Sequence, residues 1–208
     1  MSEPLSSAEN SSGARETAAG FGVARAVLAP RKAGPFLGRH PWVFDTAIRR
    51  FDGPCNDGEV VDLVTDKERF IARGIVNRNS RLQIRLYTWD AQQPLDEAFF
   101  AARLAAAIGF RSRLGLDDPA AAVRLVFSEA DGLSGLVVDR YADHLVVQVN
   151  ALAIACRLDS IVSWLAAHLH PRSVTVRSEG GIAKSEGMTV ECGLKSGQTA
   201  DVAVFIEE

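Results

Sequence analysis

Short apolar runs separated by glycine and proline turns dominate residues 21–90. The clearest run is Ser80–Trp89, in which Leu82, Ile84 and Leu86 alternate with polar residues. A period of two places the three aliphatic side chains on one face of a β-strand and the polar ones on the other. Predicted strands cover Val23–Ala29, Trp42–Phe44, Glu59–Thr65, Phe70–Val76 and Ser80–Trp89. Short strands with turns between them predict a small β-rich barrel or pseudobarrel.

The apolar pattern changes to a helical period after residue 90. One helix is predicted from Asp96, whose side chain suits an N-cap, to about Gly115, and a second over about Ala155–Leu169. Predicted strands cover Arg124–Phe127, Gly135–Asp139, His144–Asn150 and Ser173–Arg177, and a last hairpin pairs Met188–Cys192 with Val202–Ile206. Residues 178–187 are predicted to form a loop. Strand, helix and strand in this order predict a mixed α/β layer.

These patterns divide the chain into four segments and predict an α+β fold. Residues 1–20, rich in Ser, Ala, Glu and Gly, are predicted to be a disordered tail. Residues 21–90 form the β-rich domain and residues 91–187 a central α/β domain. Residues 188–208 are either a terminal hairpin or the start of a linker.

Composition adds a charge asymmetry to this division. The chain has 208 residues, 47% of them apolar, and a net charge of −3. Residues 21–90 nevertheless carry twelve Lys and Arg against eight Asp and Glu, so that a polyanion would meet this half. The three cysteines have neither zinc-ligand nor disulfide-framework spacing, which indicates a reducing cytosol. The sequence contains no run of 18 apolar residues, so it predicts no membrane span.

The stretch Gly38–Arg50 is the strongest candidate for a contact with nucleic-acid phosphates and bases. It combines Arg39, His40, Trp42 and Arg49 with a backbone that Pro41 stiffens. Cations and an aromatic ring on a rigid backbone suit phosphates and bases. The alternative is that Trp42 belongs to the core and the arginines are only solvated. Alternation along the strand favours the barrel core for both Trp42 and Phe44.

A second basic face is predicted on the strand Ser80–Trp89. Arg81 and Arg85 lie two positions to either side of Gln83, at most about 13 Å apart along the strand at roughly 3.3 Å per residue. Arg73 and Arg78, on the preceding strand and its turn, are expected to join them. The alternative is a solvated edge face without a ligand.

Other chemistry is weakly indicated. Four carboxylates in fifteen residues could do acid/base work or hold a metal, but two of them fall at turns where Asp is favoured for its own backbone bonding. They are Glu129, Asp131, Asp139 and Asp143. No strand leads through Gly-x-Gly-x-x-Gly into a helix, so no adenosyl pocket of the Rossmann kind is predicted.

Two stretches are similar to one family. Arg39-His-Pro-Trp-Val-Phe44 resembles the signature of the PUA domain that opens a family of bacterial 23S ribosomal RNA cytosine-C5 methyltransferases. Residues 124–141 resemble the centre of that family's second domain, with Ser134 where the usual wording has Pro. Lys184-Ser-Glu-Gly-Met188 resembles the exit of that domain, with Ala183 in place of Arg.

The resemblance implies a PUA-like β pseudobarrel, a mixed α/β central domain and 23S ribosomal RNA as the partner. In the family, a third domain binds S-adenosylmethionine and carries the nucleophilic cysteines. The chain ends where that domain would begin, after Cys55, Cys156 and Cys192. We therefore expect an RNA-positioning half that is inactive by itself, with no catalytic residue, cofactor or metal site and no Rossmann-like methyltransferase domain.

The expected location is the cytoplasm, and a homodimer is a further possibility. Two other functions stay open on the residues alone. One is a stand-alone RNA-binding module without catalysis, and the other is a hydrolase or metal enzyme that uses the carboxylates of residues 129–143.

Overall fold

Two β-sheets, each with its own hydrophobic core, make up this computed structural model, which describes residues 23–116, 118 and 121–198. The first sheet contains β1 (Ala24–Leu28), β2 (Trp42–Phe44), β3 (Ile48–Asp52), β4 (Val60–Val64), β5 (Phe70–Val76) and β6 (Leu82–Thr88). The second contains β7 (Ala122–Phe127), β8 (Leu136–Tyr141), β9 (His144–Val149), β10 (Ser173–Arg177) and β11 (Gly193–Gly197). The α-helices are α1 (Gly34–Leu37), α2 (Glu97–Arg113), α3 (Leu152–Ala155), α4 (Leu158–Leu169) and α5 (Gly180–Ser185).

The first sheet curls back on itself. Its strand order is β2-β6-β5-β4-β1-β3, so β2 and β3 lie at opposite edges. Only the 3-10 turn Asp45–Ala47 joins these two strands, which forces the edges to approach each other. Ala29 N donates to Ala47 O at 2.9 Å and holds the turn beside the end of β1. The result encloses a core around the fully buried Val43, Leu63 and Ile84.

The alternation on β6 confirms the predicted core face. Ile84 and Leu86 are buried in the first core, whereas Arg85 and Tyr87 lie on the opposite face and turn toward the second sheet. Tyr87 belongs to the second core although it lies on the first sheet. One strand therefore contributes to both halves of the molecule.

The predicted side of β2 was wrong. Val43 is fully buried, while Trp42 is 38% and Phe44 45% exposed. Alternation shows that two residues share a face, but it does not say which face is the core. Pairing with β6 decides it, because Val43 lies opposite the core residue Ile84.

The second sheet is a mixed one, with the order β11-β10-β9-β8-β7. Its strands β7, β8 and β9 correspond to three predicted strands and form an antiparallel meander. The chain then crosses over through α3 and α4 and returns as β10, which pairs parallel to β9. Asp96 caps α2 as predicted, since its side chain accepts a hydrogen bond from Phe99 N at 2.9 Å. No helix among the described residues is long and apolar enough to cross a membrane.

The structure differs from the predicted elements at several places. The strand Ile48–Asp52 was missed, and the predicted loop 178–187 contains α5. Residues 188–192 do not form a strand. Met188 is instead buried in the second core, and Gly193–Gly197 pairs with β10. The predicted tail 1–20 and the predicted strand Val202–Ile206 lie outside the described residues.

Gly74 gives a test of how closely β5 and β6 approach. A Cβ atom added there would lie 2.4 Å from Arg85 O and 2.7 Å from Ile84 Cγ2, and the first of these is backbone that cannot move alone. We expect Gly74→Ala to lower the free energy of unfolding by about 1–3 kcal/mol, measured by urea denaturation. The control is Gly180→Ala, where no atom lies within 4 Å of the added Cβ, and its stability should be unchanged or slightly raised. Equal effects of the two substitutions would contradict the close approach.

Candidate RNA-binding surface and the junction between the sheets

A buried carboxylate joins the two sheets. Glu186, in the turn after α5, is only 4% exposed. From the first sheet and its turn, its carboxylate accepts hydrogen bonds from Asn77 Nδ2 at 3.0 Å, Ser80 Oγ at 3.3 Å and Arg85 Nη2 at 3.0 Å. From the second half, the carboxylate accepts a hydrogen bond from Leu152 N at 3.2 Å. We call this arrangement the Glu186 junction.

Arg85 is part of this junction and not of a solvated face. Its side chain is 12% exposed. Its Nη1 atom donates to Ser134 Oγ at 3.2 Å and lies 3.6 Å from Glu129 Oε1, while Nε is buried without a hydrogen-bond partner. Tyr87 Oη donates to Ser134 O at 2.7 Å beside it. Arg85 thus packs against the second sheet, whereas Arg81 from the same predicted polar face is exposed. Arg85 is corrected from a predicted RNA contact to a junction residue, because its burial leaves little surface for a ligand.

Trp42 makes a second connection between the sheets. Its Nε1 donates to Glu129 Oε1 at 2.9 Å, and the same oxygen accepts Ser134 Oγ at 2.7 Å. Burial pushes the pKa of Glu129 upward, but hydrogen bonds from Ser128, Ser134 and Trp42 outweigh it, so the pKa lies below the usual Glu value. Glu129 is therefore a charged anchor for the Trp42 ring, which keeps part of its surface open.

The other carboxylates predicted as candidates for catalysis each have a separate basic side chain as neighbour. Asp131 binds Arg111 at 2.6 Å, Asp139 binds Arg124 at 2.8 Å, and Asp143 lies 3.1 Å from His144 Nε2. Within the described residues no group of three or more His, Cys, Asp or Glu side chains could hold a metal ion. Each of these carboxylates is therefore accounted for by a contact with its own neighbour.

Unpaired cations flank the exposed edge of the first sheet. Arg39 adopts a left-handed backbone conformation, φ 64°, at the end of α1, where its N–H donates to Phe36 O at 3.0 Å. At the other end, Arg81 O accepts Asp45 N at 2.9 Å, which places Arg81 beside the end of β2. Both side chains are exposed, and among residues 23–116, 118 and 121–198 neither has a side-chain hydrogen bond or ion-pair partner. We define the edge surface as Arg39, His40, Trp42, Phe44 and Arg81.

His40 lies between the cation and the ring on this surface. It is exposed, and its Nδ1 accepts a hydrogen bond from Trp42 N at 3.2 Å. The two rings meet edge to face with centroids 6.0 Å apart. Leu86 N donates to Pro41 O at 2.8 Å, so the stiff turn is attached directly to β6.

The remaining predicted site residues are spread over the sheet. Arg49, on β3, is exposed and makes no side-chain hydrogen bond to any residue that the structure describes. Arg78 is exposed as well, but its Nη1 donates to Cys55 O at 3.2 Å and its guanidinium lies over the Phe51 ring. Arg73 is 13% exposed and forms a bidentate pair with Asp62, so it has little surface for a ligand. Arg73 and Arg85 therefore have structural partners, whereas Arg49 and Arg78 keep exposed surface.

The junction residues Glu186, Asn77 and Ser80 were not predicted as functional. Their partners are separated by more than 100 positions in the chain, and no local spacing indicates such a pair. Glu186 did lie within the quoted motif Lys184–Met188, but that motif carried no stated role. The motif was thus recognised in the sequence, but the structural role of Glu186 within it was not.

A cavity of about 1040 Å³ lies apart from the edge surface, between α2 and α4. Leu95, Phe100 and Leu104 are buried in its lining, and Asp96, Glu97 and Asp159 are exposed around it. Acidic side chains around an apolar floor do not suit a polyanion. The cavity is therefore not part of the candidate RNA-binding surface.

Comparison with known proteins defines the class of the first sheet. A family model described as a PUA-like domain matches residues 26–89, which include five of its six strands in full and most of the sixth. The chain therefore carries a PUA-like domain.

The curated relatives are more specific. Over 184 residues the chain is 34% identical to the ribosomal RNA large subunit methyltransferase I of Shigella boydii serotype 4, and 33% identical to that of Escherichia coli O139:H28. Each match covers 88% of this chain and 46% of the relative. The chain is thus homologous to these methyltransferases and spans about half of their length.

Solved structures share the fold at lower identity. SMU.776, described as "a putative methyltransferase complexed with SAH", superposes with a TM-score of 0.66 at 15% identity, over 85% of this chain and 43% of that one. A "putative sam-dependent methyltransferase" from Streptococcus mutans gives 0.65 at 16% identity, over 85% and 44%.

These structures correct the predicted fold class. We expected an α+β fold from which the methyltransferase domain is absent, and this was wrong. The two sheets described here reproduce part of the fold of proteins described as methyltransferases. The prediction rested on the family resemblance, in which the methyltransferase domain follows these two domains, and on the lack of a glycine-rich turn that leads from a strand into a helix. A curled sheet beside a mixed sheet with a helical crossover does not require that motif.

The turn after β9 does not fit the adenosyl group that such a fold implies. Rossmann-type sites leave backbone N–H groups free in a glycine-rich turn between strand and helix. Here the turn is Asn150-Ala151, and a Cβ on Gly135 would lie 2.4 Å from Ala151 Cβ, so the space is filled. The N–H of Leu152 is bound by Glu186. We derive no methyl-transfer step from this turn.

The Glu186 junction gives a stability prediction. Glu186→Gln keeps the shape of the side chain but leaves Arg85 with only the more distant Glu129 as a counter-charge. Removal of one partner of a buried pair is expected to lower the free energy of unfolding by about 3 kcal/mol, measured by urea denaturation. The control is Glu191→Gln, which removes an exposed pair with Lys195 and should change little. A Glu186→Gln variant as stable as the control would show that the junction is not a stabilising contact.

The low pKa of Glu129 gives a pH prediction. Because its pKa is lower in the folded than in the unfolded protein, the carboxylate stabilises the fold above the ordinary Glu pKa, and this contribution is lost as the pH falls through the folded value. Trp42→Phe removes one hydrogen-bond donor, so Glu129 should take up its proton at higher pH. A carboxyl-carbon NMR titration measures this shift directly, with Trp164→Phe as the control. An unchanged Glu129 titration in Trp42→Phe would contradict the hydrogen bond.

Proposed function

We propose that this chain provides the RNA-binding and substrate-positioning part of a ribosomal RNA (cytosine-C5) methyltransferase. The observation that carries the proposal is the edge surface, where unpaired Arg39 and Arg81 flank exposed aromatic rings on a PUA-like sheet. The curated relatives, named as large-subunit ribosomal RNA methyltransferases, support this choice of reaction and substrate.

The arginines bind the RNA through its phosphates. A guanidinium that has no internal partner is free to contact a phosphate oxygen and to release a counterion. Arg39 and Arg81 meet this condition on the edge surface, and Arg49 meets it on β3. Such contacts fix the position of the RNA without selecting its sequence.

The two connections between the sheets turn binding into positioning. The RNA is held on β2. Trp42 of this strand donates a hydrogen bond to Glu129 in the second half, so the strand that carries the RNA is connected to the second sheet. The Glu186 junction fixes the adjacent strand β6 to the start of α3. The RNA is thereby held in a defined orientation relative to the second sheet, as a methyltransferase substrate requires.

The finer parts of the proposal rest on the family resemblance of the sequence motifs. The RNA partner is 23S ribosomal RNA, the methyl donor of the whole enzyme is S-adenosylmethionine, and the location is the cytoplasm. The homodimer stays a prediction that sedimentation would test.

Salt dependence of RNA binding tests the phosphate contacts. We expect the full chain to bind a ribosomal RNA fragment with an affinity that falls steeply with salt, measured by fluorescence anisotropy. Binding should be weaker in each of the variants Arg39→Ala, Arg81→Ala and Arg49→Ala. The fall of log K with log salt concentration should also become less steep in each, by about 0.7 to 0.9, which is the contribution of one phosphate contact.

The matched control is Arg113→Ala. Arg113 is also exposed and makes no hydrogen bond, but it lies in the last turn of α2, outside the first sheet. The substitution Arg113→Ala removes the same charge as the others, so it measures how much binding changes through net charge alone. If it weakens binding as much as Arg39→Ala and Arg81→Ala do, the proposed surface is wrong.

A further inference from the structure

Two large aromatic side chains are exposed on one short strand. Trp42 and Phe44 lie on either side of the buried Val43 on β2, an edge strand of the first sheet. Edge strands usually carry charged or small side chains on their solvent side, because exposed apolar ones invite association. Two exposed rings at this place are therefore a feature that a ligand would explain.

The distance between these rings suits nucleic-acid bases. Alternate residues of a strand are about 6.6 Å apart, and the register shift after Val43 adds a local bend. Each ring can thus carry its own base. Aromatic side chains that take successive bases in this way are the usual platform of proteins that bind single strands.

Trp42 is held ready for such a contact. Its Nε1 is fixed by Glu129 and its edge is supported by His40, so the ring has little rotational freedom to lose on binding. Its 38% exposure leaves surface for a base. Phe44 has no polar atom and so offers only stacking and apolar contact.

The unpaired cations stand at the two ends of the same strand. Arg39 precedes Trp42 by three residues, and Arg81 lies beside the turn that follows Phe44. A strand of RNA that stacks bases on the two rings would bring its phosphates to these two guanidinium groups. In a duplex, the faces of the bases are covered by their neighbours and cannot stack on a side chain.

We infer that the edge surface binds unpaired nucleotides of RNA, with bases stacked on Trp42 and Phe44 and phosphates on Arg39 and Arg81. The inference deepens the proposed function and rests on it, since it names the form of RNA that this surface selects. A helical stem is not its ligand; a loop, a bulge or a single-stranded segment is.

The test compares two probes on the full chain. One is a labelled RNA strand of about 12 nucleotides, within the usual range of single-strand site sizes, and the other is the same strand annealed to its complement. The single strand should bind at least about 10-fold more tightly in anisotropy titrations. Trp42→Ala and Phe44→Ala should each weaken its binding about 5-fold or more, the effect expected for one stacked base.

Two control variants separate stacking from other effects. Phe110→Ala removes an equally exposed phenylalanine from α2 and should leave binding unchanged. Trp42→Phe keeps a ring but loses the hydrogen bond to Glu129, so it should retain most of the affinity that Trp42→Ala loses. Circular dichroism and the melting temperature show whether each variant folds.

Tryptophan fluorescence gives an independent measurement. The chain contains three tryptophans, so the double substitution of Trp89 and Trp164 by Phe leaves Trp42 as the single emitter. Stacking should quench this emission with the single strand and not with the duplex.

The outcomes distinguish this inference from the proposed function. If the duplex binds as tightly as the single strand, or Trp42→Ala and Phe44→Ala have no effect while Arg39→Ala and Arg81→Ala weaken binding, the base contact is wrong and the RNA-binding function stands. If neither probe binds in a way that depends on these arginines, the proposed function itself fails.

Discussion

The relative position of the two sheets depends on one buried carboxylate. Glu186 receives hydrogen bonds from three side chains of the first half and from the backbone of Leu152 in the second. The buried ion pair between Glu186 and Arg85 offsets the desolvation of its charges only if nearly all of its hydrogen bonds are made. These bonds exist at one relative arrangement of the sheets, so the pair specifies that arrangement more than it adds stability.

The free energy of this junction is supported by apolar contact beside it. Tyr87 lies next to Arg85 on the same face of β6, and it is buried in the core of the second sheet. Its hydroxyl is satisfied by Ser134 O, and burial raises its pKa, so it stays a neutral donor. One strand thus supplies a polar contact that fixes the geometry and an apolar contact that stabilises it. Loss of either would leave the other without its support.

Local patterns predicted local structure well and contacts between the halves poorly. The alternation on β6 correctly gave Ile84 and Leu86 to the core, and Asp96 correctly marked the start of α2. The same alternation could not distinguish Arg81, which is solvated, from Arg85, which is buried, because their difference comes from Glu186, 101 positions after Arg85. The prediction of which face of β2 is buried failed for a related reason, since the pairing with β6 determines that face. The predicted fold class was wrong because it came from a family resemblance and a missing glycine motif, and neither of these determines how the two sheets are arranged.

Trp42 connects these two levels of structure. One end of its side chain belongs to the contact with Glu129, and the exposed part of its ring belongs to the edge surface. A base that stacks on the ring would therefore rest on a group whose orientation depends on the second sheet. Loosening of the Glu186 junction would let the Glu129 loop move relative to β2 and would free the ring to rotate. RNA affinity would then fall through entropy although no RNA-contacting residue had changed. The accuracy with which RNA is placed is consequently a property of the junction as much as of the surface that touches the RNA.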